Sequence, residues 1–139
     1  MKGAQPISPP PFQFKLDPQT GVPVYRQIID QVQGGIAAGS LPPGSQLPTV
    51  RQVAVDLAIN PNTVLRAYRE LEIRGVLETQ QGTGTFISHR KIAPDHSERQ
   101  RQLAQLVSEL LARAGAAGFT LQEVAEALLD RYPALGRRR

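Results

Sequence analysis

Cysteine is absent from all 139 residues. That removes a disulfide framework, a thiolate metal site and a cysteine nucleophile together, and it agrees with a reducing compartment. A continuous apolar run is missing too. The first fifteen residues, MKGAQPISPPPFQFK, cannot serve as a secretory signal, and no later segment approaches a membrane span, so a cytoplasmic protein with no membrane partner is expected. There are no carboxylates paired at a suggestive spacing, no phosphate loop and no Ser-His-Asp set, so an enzyme is not expected. The two histidines, His89 and His96, have no cysteines or clustered carboxylates beside them and read as solvent-exposed; neither metal nor cofactor is expected. At this length the chain holds one ordinary domain, or a small domain plus a helical hairpin, and not a large catalytic domain.

Excess charge is also scarce where it would be most telling. The net charge is +4, yet Arg137, Arg138 and Arg139 supply three of those charges, and between Val22 and Lys91 seven Lys or Arg stand against five Asp or Glu. A nucleic-acid surface here must be made by placement of cations, not by their number.

What is present is organised around one helix, INPNTVLRAYRELEIRG, from Ile59 to Gly75. Asn60 is a good N-cap, Pro61 sits at the first helical position where its missing N–H costs nothing, and Gly75 stops the last turn. Val64, Ala67, Tyr68 and Leu71 recur at three- and four-residue spacing and form the stripe that must face a core. The outward side carries Asn62, Thr63, Arg66 and Arg69, the amide, hydroxyl and guanidinium groups that read base edges and hold phosphates. A merely solvated polar face is the alternative, and the flanking segments decide between the two.

Upstream, Met1 to Asp17 is proline-rich, an extended arm or disordered leader in which Phe12, Phe14 and Leu16 alternate in a way that would let them pack as a short extended segment. A helix is expected from Pro23 to about Ala38, with Val24, Ile28, Ile29, Val32 and Ile36 on one side and Gly39 as its stop. Gly34 and Gly35 inside it either permit a close helix crossing or let the helix fray. LPPGSQLP, from Leu41 to Pro48, is a turn-rich link with room for a short extended stretch at Ser45 to Leu47. Thr49 opens the next helix as N-cap with Gln52 as its capping-box partner, and Val50, Val53, Ala54 and Leu57 form its buried stripe. Only Ala58 to Asn60 separate it from the central helix, which forces a crossed helix-turn-helix pair.

VLETQQGTGTFIS then alternates apolar and polar residues on both sides of Gly82-Thr83-Gly84, predicting a hairpin of about Val76 to Thr79 with Thr85 to Ser88. Three helices and a hairpin describe a winged helix. The wing tip, Gln80 to Gly84, offers backbone N–H groups and a hydroxyl to a phosphate or a minor groove, unless its glycines only make the turn.

These residues resemble a known family. LPPGSQLPTVRQVAVDLAINPNTVLRAYRELEIRGVLETQQGTGTFIS is similar to the N-terminal winged helix-turn-helix of the GntR family of bacterial transcription regulators. The resemblance implies that Arg51 contacts the phosphate backbone or a base, that Thr49 holds a phosphate at its helix N-terminus, that Asn62 and Thr63 open the recognition helix, and that Gly82, Thr83 and Gly84 form the wing tip. Many members carry arginine at the places here held by Pro61 and Leu65, whereas arginine appears at Arg66. NPNTVLRAY with a short C-terminal tail is similar to the YtrA-type subfamily.

In the C-terminal quarter Leu103, Leu106, Val107, Leu110, Leu111 and Ala114 form one helical stripe, and Thr120, capped with Glu123, opens a second of Leu121, Val124, Ala125, Leu128, Leu129 and Tyr132. A two-helix hairpin encloses no core, so a partner is required: the same element of a second chain, or the chain's own winged domain.

The expected fold class is thus α+β, mainly α. Its parts are a leader (1–21), a winged helix-turn-helix of three helices and a β-hairpin wing (22–88), a linker (89–99), a two-helix dimerisation hairpin (100–136) and a basic tail (137–139). The expected function is a sequence-specific regulator, a repressor binding double-stranded DNA as a homodimer on an inverted repeat; the alternative is a protein-interaction adaptor that uses the hairpin. No small-molecule effector is named by the residues.

Overall fold

The computed structural model describes residues 12–89 and 95–137, which fall into two units that part at residues 90 and 91. The first unit runs α1 (Val24–Ala38), β1 (Gln46–Leu47), α2 (Val50–Leu57), α3 (Pro61–Ile73), β2 (Leu77–Gln80) and β3 (Gly84–Ile87). The second has α4 (His96–Ala116), α5 (Leu121–Arg131) and a 3₁₀ turn at Pro133–Gly136.

The helix ends in the first unit follow from the side chains present. Thr49 caps α2 by accepting from the Gln52 N–H at 3.1 Å while the Gln52 carboxamide accepts from the Thr49 N–H at 2.9 Å, the reciprocal box read from the sequence. Asn60 caps α3 through its carboxamide oxygen, which accepts from the Asn62 N–H at 2.8 Å. At the other end of α3 Gly75 takes a left-handed φ of 79°, its N–H bonds to the Glu72 carbonyl at 3.0 Å, and the Val76 N–H reaches back to the Leu71 carbonyl at 2.9 Å. That pair of bonds satisfies the last helical carbonyls and occupies the Val76 N–H. Strand β2 therefore begins at Leu77, one residue later than the alternation suggested, and β3 correspondingly begins at Gly84.

The wing is not a bare hairpin. β1 pairs antiparallel with the far edge of β3, giving a three-stranded sheet in the order β1-β3-β2 with Gln46 opposite Phe86 and Leu77 opposite Ile87. A two-stranded hairpin is marginal alone, and the third strand, buried through Leu47, ties the wing to the segment that feeds α2.

Helix α3 sits between α1 and α2. Its stripe of Val64, Ala67, Tyr68 and Leu71 is buried as expected, against Ile28, Ile29 and Val32 of α1 and Val53 and Ala54 of α2 within one apolar cluster. The Tyr68 hydroxyl donates to the Pro48 carbonyl at 2.6 Å, fixing α3 to the entry of α2. Burial raises the Tyr68 phenol above its ordinary pKa. The neutral form is favoured in the folded state, so this contribution to stability is complete below the unfolded value of about 10 and is lost as pH rises beyond it. Tyr68→Phe should remove that alkaline loss from a stability-versus-pH series, although it weakens the protein at neutral pH by leaving the Pro48 carbonyl without its donor.

Two features of this unit add to the pattern in sequence. Ile36 of α1 is exposed and Gly35 is buried in its place, because Leu41 and Phe12 lie against the helix there; a Cβ on Gly35 would stand 2.9 Å from Leu41 Cδ1. Gly34 meets nothing within 4 Å. The helix does not fray at this point, and what comes close at Gly35 is Leu41 and Phe12. Gly34→Ala should raise stability by about 0.5–1 kcal/mol through helix propensity, while Gly35→Ala should lower it, as thermal melts of the two variants would show.

The second feature is in the leader, of which residues 1–11 lie outside the described residues; from Phe12 on it packs, as the alternation allowed. Phe14 belongs to the core, with Phe12 edge-on to it at 5.0 Å. Side-chain amides of α1 act as the partner strand: Gln31 accepts from the Lys15 N–H at 2.9 Å and donates to the Lys15 carbonyl at 2.6 Å, and Gln27 does the same for Asp17. Residues 12–17 are thus part of the winged unit and not a detached arm.

In the second unit the linker is shorter than expected. Asp95 caps α4, so the helix opens at His96, four residues before Gln100. Hydrogen bonds from the Ser97 hydroxyl first, then from the Glu98 N–H, hold the Asp95 carboxyl below its usual pKa. Thr120 and Glu123 form the expected box at the start of α5.

Candidate nucleic-acid interface

On α3 the residues opposite the buried stripe are Asn62, Arg66, Arg69 and Ile73, spaced to share one face. Asn62, Arg66 and Arg69 are exposed and Thr63 is half-buried at the edge of that face. Its two cations, Arg66 and Arg69, sit in the middle turns. Further along, Glu70 is paired with Arg74 at 3.1 Å, and Glu72 accepts from the Thr79 hydroxyl of β2, so the last turn offers a phosphate no net attraction. A groove-reading helix with this distribution would present its N-terminal turns.

Arg66 lies over a residue the sequence pattern did not single out. Its guanidinium carbon lies 3.7 Å from the centroid of the Tyr25 ring, in the first turn of α1.

Thr49 and Arg51 stand exposed at the start of α2. Capping takes one lone pair of the Thr49 hydroxyl and the Gln52 N–H, while the N–H groups of Val50 and Arg51 have no partner among the described residues. A phosphate placed there would meet two main-chain donors, the Thr49 O–H and the Arg51 cation on the positive end of the helix dipole.

The wing-tip residues Gly82 and Thr83 are exposed, and Gly84 is half-buried. Gly82 has φ 79° and open space around it, so it serves the turn. Gly84 does more. At φ 139° its missing Cβ makes room for the Gln46 side chain, which donates from Nε2 to the Thr83 carbonyl at 3.1 Å and so pins the tip to β1. Gln46 and the Glu72–Thr79 bond are the supports that periodicity alone could not reveal, since both join residues far apart in the pattern.

His89 and His96 are exposed as expected, and no cluster of three or more His, Cys, Asp or Glu that could hold a metal occurs among the described residues. No helix among them is long and apolar enough to cross a membrane.

The second unit carries the apolar residues expected to join two chains. Neither α4 nor α5 has a single buried residue. Leu103, Leu106, Val107 and Leu110 of α4 and Leu121, Leu128 and Leu129 of α5 are exposed; Leu111, Val124 and Tyr132 are half-buried. Phe119 and Leu135, which the helical stripes did not include, are exposed with them. A groove of about 410 Å³ runs along α5, lined by Leu110, Phe119, Val124, Ala127 and Leu128, with Glu123 and Arg131 on it as well.

Residues 24–87 match the model of the bacterial regulatory proteins of the gntR family. The HTH-type transcriptional repressor YtrA of Bacillus subtilis is 36% identical over 113 residues, covering 81% of this chain and 87% of that protein. The chain belongs to the GntR family. Its likeness to YtrA-type members extends to solved structures. YtrA from Sulfolobus acidocaldarius, a GntR-family transcription factor, superposes with a TM-score of 0.54 at 30% identity, over 71% of this chain and 97% of that one. A transcriptional regulator from Oenococcus oeni gives 0.54 at 36% identity, over 86% and 98%. This GntR protein is accordingly a DNA-binding transcription regulator of YtrA type, not an enzyme. The family match spans α1 through β3, the unit that holds Arg51, Asn62, Thr63 and the wing.

Proposed function

We propose that this GntR regulator is a cytoplasmic repressor that binds an inverted-repeat operator as a homodimer. The repressor role is supported by the B. subtilis relative, whose name states it. The observation that carries the homodimer is the second unit's lack of any buried residue in α4 or α5, set against a winged unit with a dense apolar core. Leaving that many leucines in water is unfavourable by roughly 25 cal/mol per Å² of apolar surface, and an identical hairpin is the partner always present at matching concentration. A two-fold axis through the hairpins would then offer two copies of α3 to two half-sites.

At each half-site, Asn62, Thr63 and Arg66 reach base edges or the backbone at the start of α3, Arg69 a flanking phosphate, Thr49 and Arg51 the phosphate at the start of α2, and Gly82, Thr83 and Gly84 the backbone beside the wing. Footprinting on the DNA upstream of the regulator's own gene is the direct test: two protected segments, with centres about one helical turn or a multiple apart, are expected. Asn62→Ala should weaken binding by about 1–3 kcal/mol and relax preference at one base position, whereas Arg69→Ala should weaken all sequences alike and lower the salt slope by about 1. A stable heteromer with another protein and no retardation of that DNA would instead favour the adaptor.

A further inference from the structure

Arg66 is the one recognition-face cation whose guanidinium is held by an aromatic ring, and the manner of that holding is informative. A carboxylate partner would fix an arginine but neutralise it. The acids of α1 and α3 are engaged elsewhere: Asp30 with Arg26 at 3.5 Å, Glu70 with Arg74 at 3.1 Å, and Glu72 with the Thr79 hydroxyl. Arg66 makes no ion pair among the described residues. The Tyr25 ring, packed at the border of the apolar core and therefore restrained itself, covers the guanidinium at 3.7 Å and leaves its charge and its N–H edge free.

We infer that Tyr25 is a positioning residue for operator binding: it pre-orders Arg66 across the α1–α3 junction, so that the side chain is aimed before DNA arrives. This rests on the reading of Arg66 as a DNA contact given above. An arginine on an exposed helix face has several rotamers to lose on binding, which costs about 0.5–1.5 kcal/mol when it is immobilised; stacking on Tyr25 removes part of that cost in advance. The contact also suits arginine in particular, because a lysine ammonium lacks the flat face that covers a ring.

The test is a double-mutant cycle on full-length protein, with affinity for a footprinted operator fragment as the readout and thermal melting as a control. Tyr25→Leu keeps an apolar side chain against the core and should weaken binding about three- to ten-fold. Tyr25→Phe keeps the ring and should stay within about two-fold of the unmodified protein. In an Arg66→Ala background the effect of Tyr25→Leu should vanish, a coupling that a merely structural role for Tyr25 would not produce. The inference is overturned if Arg66→Ala weakens binding but Tyr25→Leu does not, or if the Tyr25→Leu loss persists unchanged without Arg66, which would mean that the ring touches DNA itself or acts through stability. Arg66→Ala with unchanged affinity and salt dependence would overturn both the inference and the prior assignment of Arg66 to the interface.

Discussion

Leu110→Asp on α4 or Leu128→Asp on α5 is expected to turn the protein into a monomer and to lower its affinity for a two-half-site operator by about 10²–10⁴-fold. Both side chains are nearly half exposed in the isolated chain, at 48% and 43%, and both line the groove along α5. A carboxylate at either place costs the monomer little, because it stays hydrated there; in an interface it would be desolvated without a partner. Nothing in the winged unit's core depends on these residues, so binding to a single half-site should be retained at its own weaker affinity. Sedimentation of the variant, with gel retardation on full and half operators, separates the two effects. A variant that stays dimeric, or that becomes monomeric yet keeps the full-operator affinity, would remove the hairpin from its proposed role.

Much of this architecture was legible because the helix termini are chemically marked. Thr49 with Gln52, Asn60 before Pro61, Gly75 after α3 and Thr120 with Glu123 each satisfy specific main-chain groups, and each boundary falls where those groups require it. The buried stripe of α3 was readable for a related reason: only one face of an amphipathic helix can reach the core. Less visible were contacts whose partners share no period. The pairing of Gln31 with Lys15 makes an extended segment part of the domain through side-chain amides, and no propensity encodes it. The β1 strand is two residues long between prolines, too short to carry an alternation, and it exists because β3 offers it an edge. Gly35 read in sequence as a site of close crossing or of fraying, whereas in space it is the seat for Leu41.

The candidate interface divides in the same way. Which α3 residues face outward follows from the stripe they oppose, so Asn62, Arg66 and Arg69 could be named from spacing alone. How each is held could not. Tyr25 lies 41 positions before Arg66, and its ring is brought there only by the packing of α1 on α3. Gln46 under the wing tip and Glu72 beside Thr79 are similar: polar side chains on exposed surfaces, indistinguishable in sequence from solvated ones until the fold sets them against a partner.

Leu71→Ala should be the most damaging single truncation in α3, costing about 2–5 kcal/mol. Leu71 is fully enclosed, at 0% exposure, in the last turn of the helix that α1 and α2 both contact; its carbonyl also receives the Val76 N–H that closes the helix end before β2. Removing three carbons there leaves a cavity lined by side chains already in close packing, which can relax only in part. Two residues on, Ile73 is 81% exposed on the outward face, so Ile73→Ala should change stability by no more than about 0.5 kcal/mol. Chemical denaturation of the two variants gives the comparison directly. For a winged unit of this size the loss at Leu71 is a large part of total stability, so operator binding should fall with temperature well before the unmodified protein melts and should recover on cooling. Equal stability losses at Leu71 and Ile73 would mean that α3 is not docked by the stripe it shows, and the outward placement of Asn62, Arg66 and Arg69 would lose its physical basis.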